Sequence, residues 1–292
     1  MNASIYKIVL FAAMYFCTTV TFAQTRHELS IYGGGGLSSL NYKLHNINND
    51  AITYRPGGMA GIGYTFYFSP RWGISTGIEL TTYRSESDHY SLMDTYQSVD
   101  DYKDSFDFSI QQKGYSEKQT ATYLNIPLML RFRAQANTGF TAALGGKIGI
   151  PVKGEYEYSY NSLVTKAYYP RENVSYEDLD FRGIGQFGGG SGKGDLEFDI
   201  AFMLAAEAGM NWSLGGKMYV YSGVYADYGL NNINQGDKRD TFLPYNAENP
   251  VDFRNNSILK SKYNHYWDQD KAFTERVNPL ALGIKVKLTY AL

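Results

Sequence analysis

Cysteine is almost absent from this chain of 292 residues, and its single copy is Cys17. Cys17 ends an apolar run that follows Lys7 near the N-terminus, and small residues come after it. This order predicts a secretory signal peptide over residues 1–23, with cleavage between Ala23 and Gln24. The mature chain would then have no cysteine, which excludes disulfides, thiolate metal sites and cysteine nucleophiles.

Two other interpretations of this segment stay open. An uncleaved membrane anchor would need about 20 apolar residues to span a bilayer as a helix, and the run is shorter. A lipid anchor on Cys17 would need small residues before it, whereas Met14, Tyr15 and Phe16 are bulky. We therefore expect a cleaved signal peptide, with residues 24–292 forming one domain.

Long apolar runs are also missing, because no stretch after residue 24 approaches the roughly 18 apolar residues of a membrane-spanning helix. The formal net charge is only -2, so no nucleic-acid partner is expected. A secreted chain can still span a bilayer as a closed β-barrel, since closure pairs the backbone groups without water. The chain has 27 tyrosines against 16 phenylalanines. Aromatic girdles at the membrane–water interfaces would account for that excess.

The clearest strand pattern lies at residues 123–134. One face carries Leu124, Ile126, Leu128, Leu130, Phe132 and Ala134, and the other carries Tyr123, Asn125, Met129, Arg131 and Arg133. A period of two residues predicts a β-strand. An apolar face opposite two arginines suits a wall between hydrocarbon and a polar interior.

Seven further segments alternate in the same way. The eight predicted strands lie near residues 28–42, 58–68, 74–84, 120–134, 140–153, 196–212, 217–230 and 278–292. Short connections alternate with long polar ones, at 85–119, 154–195 and 231–277. This rhythm predicts an all-β fold, an eight-stranded antiparallel up-and-down transmembrane β-barrel with long extracellular loops. A lipocalin-like soluble barrel is the alternative, and it would place its apolar rows inside.

Charged residues on the inward faces are expected to form a charge network in the lumen. They are Glu79, Arg131, Arg133, Lys147, Glu197, Asp199, Glu207, Asp227, Lys285 and Lys287, with Lys153 on the same face. The two signs nearly balance, and a barrel of eight strands is about wide enough for its own side chains. Buried charges must be paired or hydrated. A plugged lumen is therefore predicted in preference to a narrow channel.

The glycine-rich stretch at 183–195 contains Gly192 and Lys193, as a phosphate-binding loop would. However, Phe187 stands where that loop requires glycine, and Gly194 stands where it requires a Ser or Thr for magnesium. A flexible extracellular loop is predicted instead. The run 33–36 of four glycines opens no helix, so it indicates a bend in the wall and no dinucleotide site.

His89 and His265 lie in predicted long loops near carboxylates. Ser87, Asp88 and His89 contain the residue types of a hydrolase triad, but adjacency in sequence is not triad geometry. Solvated loop residues are the simpler interpretation. We therefore expect no enzyme activity, no catalytic residue, no metal site and no cofactor.

The predicted loop 85–119 is acidic and contains Tyr90, Tyr96, Tyr102 and Tyr115. It lacks the carboxylate spacing of a calcium-binding loop. A solvated acidic loop is one interpretation. The other is a contact surface, because tyrosine on ordered loops supplies rigid amphipathic area for recognition.

Four segments carry a family resemblance: residues 123–132, 145–153, 225–232 and 278–284, which read YLNIPLMLRF, GGKIGIPVK, YADYGLNN and NPLALGI. In these the chain resembles the outer-membrane β-barrel (PorT-like) proteins of Bacteroides-type Gram-negative bacteria. The resemblance implies a barrel similar to the membrane domain of OmpA. It implies no single activity, although some relatives are associated with secretion across the outer membrane.

The sequence thus predicts a non-enzymatic protein of the outer membrane with a structural or surface-interaction role. Its expected partners are outer-membrane lipid and lipopolysaccharide, and a protein partner bound through extracellular loops or periplasmic turns. An accessory component of an outer-membrane secretion or transport system is the alternative.

Overall fold

The computed structural model describes residues 26–44, 51–135, 138–234, 239–265 and 268–292. The predicted signal peptide and its cleavage site at Ala23 and Gln24 lie outside the described residues. No helix within these ranges is long and apolar enough to cross a membrane.

The described residues form fifteen strands and one short 3₁₀ helix at Asp180–Arg182. The strands are β1 (Arg26–Leu44), β2 (Ala51–Tyr67), β3 (Trp72–Val99), β4 (Ser105–Arg133), β5 (Gly139–Tyr160), β6 (Ser162–Tyr169), β7 (Val174–Tyr176), β8 (Gly185–Phe187), β9 (Gly190–Asp195), β10 (Ala201–Gly215), β11 (Met218–Gly229), β12 (Asp240–Thr241), β13 (Ser261–His265), β14 (Asp268–Ala272) and β15 (Thr274–Ala291).

Eight of the described strands close a ring. The order is β1, β2, β3, β4, β5, β10, β11, β15 and back to β1, and every neighbouring pair is antiparallel. The closing pair sets Glu28 opposite Ala291 and continues to Leu44 opposite Thr274. Closure removes the free sheet edges that an open sheet would expose.

The outer wall of the ring carries a continuous set of exposed apolar side chains, which we call the apolar belt. It comprises Leu29, Ile31, Ile62, Ile74, Ile78, Leu80, Ile126, Leu128, Leu130, Leu144, Ile148, Ile150, Phe202, Leu204, Val224, Leu282, Ile284 and Val286. Such a surface far exceeds the scattered apolar patches of a soluble monomer. Both described ends of the chain lie on one side of the belt, and "above the belt" here means the opposite side.

Strands β3 and β4 continue far above the belt. They contain 28 and 29 residues, more than twice the roughly 9–11 that a strand needs to cross a bilayer. The prediction of an irregular loop over 85–119 is therefore wrong. Outward residues such as Asp88 are polar there, whereas inward Leu92 and Phe108 are buried. Because the outer face meets water, alternate residues are polar, which gives the segment the composition of a loop.

Above the belt the interior is filled by residues 239–260, which we call the cap. Its Phe242, Leu243, Ile258 and Leu259 are fully buried in the same cluster as the inner aromatic residues of β4 and β5. The ring of Phe242 lies 5.3 Å from that of Tyr115, centroid to centroid. This part of the predicted 231–277 loop is thus a folded core element.

A β-bulge reverses the inside and outside faces of β5 at the top of the belt. The pairing with β4 shifts between Thr122 and Tyr123, and Val152 and Lys153 are both exposed. Beyond it Tyr156 faces inward. Lys153 therefore lies outside, paired with Glu155 at 2.7 Å, and its predicted inward position is wrong.

Candidate functional site

The interior of the ring at belt level holds a connected set of seven charged side chains, which we call the lumen network. Its members are Glu79, Arg131, Lys147, Glu207, Asp227, Lys285 and Lys287, all at most 8 % exposed. They come from β3, β4, β5, β10, β11 and β15, so the network bridges the ring from wall to wall. Inward positions of paired strands supply all seven, because alternate residues of a strand face one side.

Shared partners make the network continuous. The Lys147 ammonium donates to Glu79 at 2.7 Å and to Asp227 at 2.8 Å. The Lys285 ammonium donates to Glu79 at 3.2 Å and to Glu207 at 2.7 Å. Glu207 also accepts from Lys287 at 2.6 Å and from Arg131 at 3.1 Å. Charges that share partners in this way hold the walls together and occupy the lumen.

Arg133, predicted as part of this network, belongs to a separate cluster near the chain ends. Its guanidinium donates to Glu28 at 3.2 Å and to the carbonyl of Pro70 at 2.8 Å. The same guanidinium lies 3.8 Å from the centroid of the Tyr67 ring. Glu28 was not among the predicted lumen residues, although alternation from the inward Tyr32 places Glu28 on the same face.

Glu197 and Asp199 do not belong to the network, and their predicted inward positions are wrong. Both are exposed, whereas their neighbours Leu196 and Phe198 are buried. β10 begins only at Ala201, after two consecutive exposed residues that reverse the alternation. The apolar rows that looked continuous in sequence therefore change sides at the top of the belt.

A cavity of about 30 Å³ lies between the lumen network and the Glu28 cluster. Its lining includes Glu28, Tyr32, Arg131, Tyr221 and Lys287. A space of this size accommodates about one or two water molecules. The charged and tyrosine side chains around this cavity occupy the lumen at belt level.

Tyrosine fills much of the interior as well. Tyr32, Tyr42, Tyr67, Tyr83, Tyr115, Tyr123, Tyr156, Tyr158, Tyr160, Tyr219, Tyr221 and Tyr225 are buried, and fewer tyrosines are strongly exposed. Exposed Trp72, Trp212, Tyr64 and Tyr290 mark one margin of the belt. The tyrosine excess therefore lies more on the inner surface than in the predicted aromatic girdles.

Above the belt one buried carboxylate ties the cap to the wall. Glu117 accepts hydrogen bonds from the hydroxyls of Tyr115 and Ser257, both at 2.5 Å, from the Gln119 amide at 2.9 Å and from the Ile258 N–H at 3.0 Å. No ion pair to Glu117 occurs among the described residues. Burial raises the pKa of Glu117 above its usual value, and the four hydrogen bonds only partly oppose this.

A second tie is a reciprocal amide pair. Gln112 donates to the Asn255 side-chain oxygen at 2.9 Å, and Asn255 donates back at 2.7 Å. The Tyr156 hydroxyl donates to the Asn255 carbonyl at 2.9 Å, and the Asn255 N–H donates to the Tyr158 hydroxyl at 3.0 Å. The cap is thus positioned by direct bonds as well as by apolar packing.

The glycine-rich stretch is ordered at 190–195, so the prediction of a flexible loop there is wrong. Tyr156, Tyr158 and Tyr160 lie opposite Gly194, Gly192 and Gly190. The three rings form a stack with neighbouring centroids 6.2 and 6.4 Å apart. A Cβ on Gly192 would lie 2.5 Å from the Tyr158 hydroxyl. Glycine is needed on β9 because the tyrosine rings cover its inner face.

The four tyrosines predicted as a contact surface separate into two groups. Tyr90 and Tyr102 are 88 % and 71 % exposed, as a contact surface requires. Tyr115 is buried beneath the cap, and Tyr96 is partly buried and donates to the Leu243 carbonyl at 2.7 Å. The contact role predicted for Tyr115 is therefore wrong, because its side chain faces the interior of the strand ladder.

The residues Ser87, Asp88 and His89 do not form a catalytic arrangement. Ser87 and His89 are buried on the inner face of β3, and Asp88 is exposed on the outer face. Consecutive residues of a strand point to opposite sides, which separates the carboxylate from the other two. The His265 side chain lies outside the described residues. Within the described ranges, no group of three or more His, Cys, Asp or Glu could hold a metal ion.

A closed antiparallel ring with an apolar outer belt and a charged interior is the arrangement of membrane-spanning β-barrel proteins. The chain belongs to the family described as outer membrane protein beta-barrel domain, whose model matches residues 22–215, well over half of the chain. The protein is therefore located in the outer membrane. No curated protein sequence matches the chain.

Several solved structures align with most of the chain. One is Ail, the attachment invasion locus protein of Yersinia pestis, in complex with the heparin analogue sucrose octasulfate (12% identity, 91% of this chain and 99% of that chain, TM-score 0.30). Others are Neisserial surface protein A (9%, 91% and 98%, TM-score 0.34) and OprG from Pseudomonas aeruginosa (11%, 91% and 95%, TM-score 0.36). Structural similarity at such low TM-scores does not indicate the function of this chain.

Proposed function

We propose that the protein is an eight-stranded transmembrane β-barrel with a plugged lumen that has a structural or surface-interaction role and no enzymatic activity. The main support is the lumen network, which spans the ring, with a cavity of about 30 Å³ beside it. The PorT-like resemblance fits such a barrel. In this proposal the long strands lie outside the cell, since outer-membrane barrels have long extracellular and short periplasmic connections.

Single-channel recording in a planar bilayer tests the plug. Purified wild-type protein is expected to show no steady conductance, because the network and the cap both obstruct the lumen. A Lys147→Ala, Glu79→Ala double variant removes one cation and the carboxylate it shares with Lys285, so transient openings are expected. Lys153→Ala, on the outer wall, is the matched control. Steady large conductance of the wild type would refute the plugged barrel.

The interaction surface is proposed to lie on the upper part of β3 and β4. Tyr90, Met93 and Tyr102 are 88 %, 57 % and 71 % exposed there. The Arg182 guanidinium lies 5.0 Å from the Tyr102 ring centroid and 2.9 Å from an Asp101 carboxylate oxygen, which fixes the hairpin tip. Rigid exposed aromatic residues supply binding area at low entropic cost.

Cells that display the protein with Tyr90 and Tyr102 replaced by serine test this surface. Loss of a surface-binding phenotype, with unchanged heat-modifiable gel mobility, is the expected result. Tyr168→Ser, exposed on neighbouring β6, is the control. Retention of binding after loss of both tyrosines would remove the support for this surface.

Lipopolysaccharide is proposed to contact the wall just above the belt. Exposed Arg84 and Lys118 lie on adjacent strands there and line a crevice of about 480 Å³. Glu86, opposite Lys118, already pairs with Arg55. Native mass spectrometry should detect fewer bound lipopolysaccharide molecules on an Arg84→Gln, Lys118→Gln variant than on a Lys103→Gln, Lys113→Gln control. Equal binding would contradict the contact.

A role as an accessory component of a secretion or transport system is the second candidate, and the PorT-like resemblance favours it. It requires a stable partner on the periplasmic turns or outer wall. Affinity capture in mild detergent separates the two candidates. Stoichiometric recovery of secretion components would favour the accessory role, and recovery of the barrel with lipid alone would favour the first proposal.

A further inference from the structure

Positive charge is in excess in the lumen network. When all seven groups are ionised, the four cations Arg131, Lys147, Lys285 and Lys287 face the three carboxylates Glu79, Glu207 and Asp227. The excess is uneven along the lumen. Lys147 and Lys285 each contact two carboxylates, whereas Arg131 and Lys287 both depend on Glu207, which thus receives three cations. Uncompensated charge in a dry interior is costly, so the Glu207 end of the network needs a further negative charge.

The cavity of about 30 Å³ lies at this positive end. Arg131, Lys285 and Lys287 all line it. Glu28 lines it too, but two other guanidiniums already hold its carboxylate, Arg26 at 3.0 Å and Arg133 at 3.2 Å. Glu28 therefore does not neutralise the excess.

Two buried donors beside the cavity have no acceptor among the described residues. They are the Nε of Arg131, whose Nη2 is the atom bonded to Glu207, and the hydroxyl of Tyr221. The two residues are 6 % and 1 % exposed, and both line the cavity. Leaving a buried donor without an acceptor costs about 1–3 kcal/mol, and a charged acceptor makes the strongest bond.

We infer that this cavity is a binding site for one small monovalent anion of the halide class. Arg131 Nε and the Tyr221 hydroxyl would donate to it, and the neighbouring Lys287 would supply the balancing charge. A water molecule would accept the same hydrogen bonds but would leave the charge excess. One negative charge balances the single excess cation, and a cavity of about 30 Å³ suits a small ion. The site goes beyond the proposed structural and surface role.

Bromide soaking of crystals of the folded protein tests the site directly. The expected result is an anomalous peak inside the cavity within hydrogen-bond distance of Arg131 Nε and the Tyr221 hydroxyl. Tyr221→Phe keeps the ring and removes one donor, so bromide affinity should fall about tenfold. A cavity without bromide density in the wild type would overturn the inference and would indicate water, or a Lys287 that has lost its proton.

Thermal unfolding in detergent supplies a second readout. At constant ionic strength, the unfolding midpoint should rise with chloride and reach a plateau, and it should not rise with gluconate, which is too large to enter. Lys287→Met should abolish the chloride dependence while Glu207 keeps Arg131 and Lys285. Lys153→Met, on the outer wall, should preserve it. Identical midpoints of wild type in chloride and gluconate would contradict the site.

Discussion

The interior of the ring is held by charges at belt level and by aromatic packing above it. At belt level Glu207 is surrounded by three cations. Above the belt Glu117 is equally buried, but its partners among the described residues are all neutral donors, and two of these come from the cap. One ring therefore closes its lumen in two ways, with strand-borne ion pairs below and an inserted segment above.

The surroundings of the outer wall explain the difference. At belt level the outward positions carry apolar residues such as Ile148 and Ile150, so polar residues are left for the interior. Above the belt the outer face meets water, and the apolar residues move inside, as Tyr156 and Tyr158 do on the same strand. A hydrophobic core therefore forms inside the ring only where the outer face of the ring is in contact with water.

The largest effect is expected when the ion pairs of the lumen network are broken. Lys147→Met leaves Asp227 without its bonded cation and leaves Glu79 with Lys285 alone. Breaking a buried ion pair in this way should lower the free energy of unfolding by about 3–5 kcal/mol, measured by urea titration of the folded protein in lipid.

The matched control for this change is Lys153→Met, which removes an exposed pair with Glu155 and should cost below about 1 kcal/mol. A Lys147→Met, Asp227→Leu double variant should regain most of the loss, since Glu79 keeps Lys285. If Lys147→Met lowered the free energy of unfolding no more than Lys153→Met does, the ion pairs of the lumen network would not be buried.

The next prediction compares the outer surface of the ring at belt level with its outer surface above the belt. Leu128→Arg places a charge in the middle of the belt on β4, where insertion into hydrocarbon costs about 2–4 kcal/mol. Gln97→Arg makes a comparable change on the outer face of β3 above the belt and should cost almost nothing. Folding into lipid vesicles, followed by heat-modifiable gel mobility, measures both. Equal yields would contradict the placement of the belt in the membrane.

The difference between belt level and the region above it also explains which strands and inward residues could be predicted from the sequence. At belt level strict alternation over 123–134 predicted the strand, its outward leucines and the inward Arg131, because one face meets hydrocarbon along the whole span. The alternation fails at the top of the belt. The prediction that Lys153 and Asp199 face inward extends the pattern across the reversals beside Val152 and Ile200, where it no longer holds.

Above the belt, composition was misleading for a physical reason. Outward residues of the β3–β4 hairpin such as Asp88 are polar, and its buried residues include polar ones such as Gln112 and Glu117, so the hairpin has the composition of a loop. The cap could not be assigned either, because its partners Gln112 and Glu117 lie about 140 positions away in sequence. The residue pattern of a single sequence does not reveal contacts between residues that lie so far apart along the chain.

A smaller effect tests the aromatic interior. Gly192→Ala places a methyl group against the Tyr158 ring, which must move and disturb its bond with the Asn255 N–H. Such overpacking should lower stability by about 1–3 kcal/mol. Gly188→Ala is the control, since a Cβ at that position has no neighbour within 4 Å. Limited proteolysis of the cap measures both, and equal cleavage rates would show that the tyrosine stack does not require glycine on β9.

The smallest effect concerns pH. The pKa of Glu117 is raised in the folded protein above the ordinary 4.5 of an unfolded chain. The folded state therefore holds this proton more tightly, and the stability of the cap falls as the pH rises from about 4.5 through the raised value.

Glu117→Gln removes the titration and should make cap stability less dependent on pH. Hydrogen exchange over residues 242–259, corrected for the intrinsic pH dependence of exchange, should show wild-type protection increasing on acidification more than in Glu117→Gln. Parallel pH profiles would mean that Glu117 keeps its ordinary pKa, so that its four hydrogen bonds offset its burial.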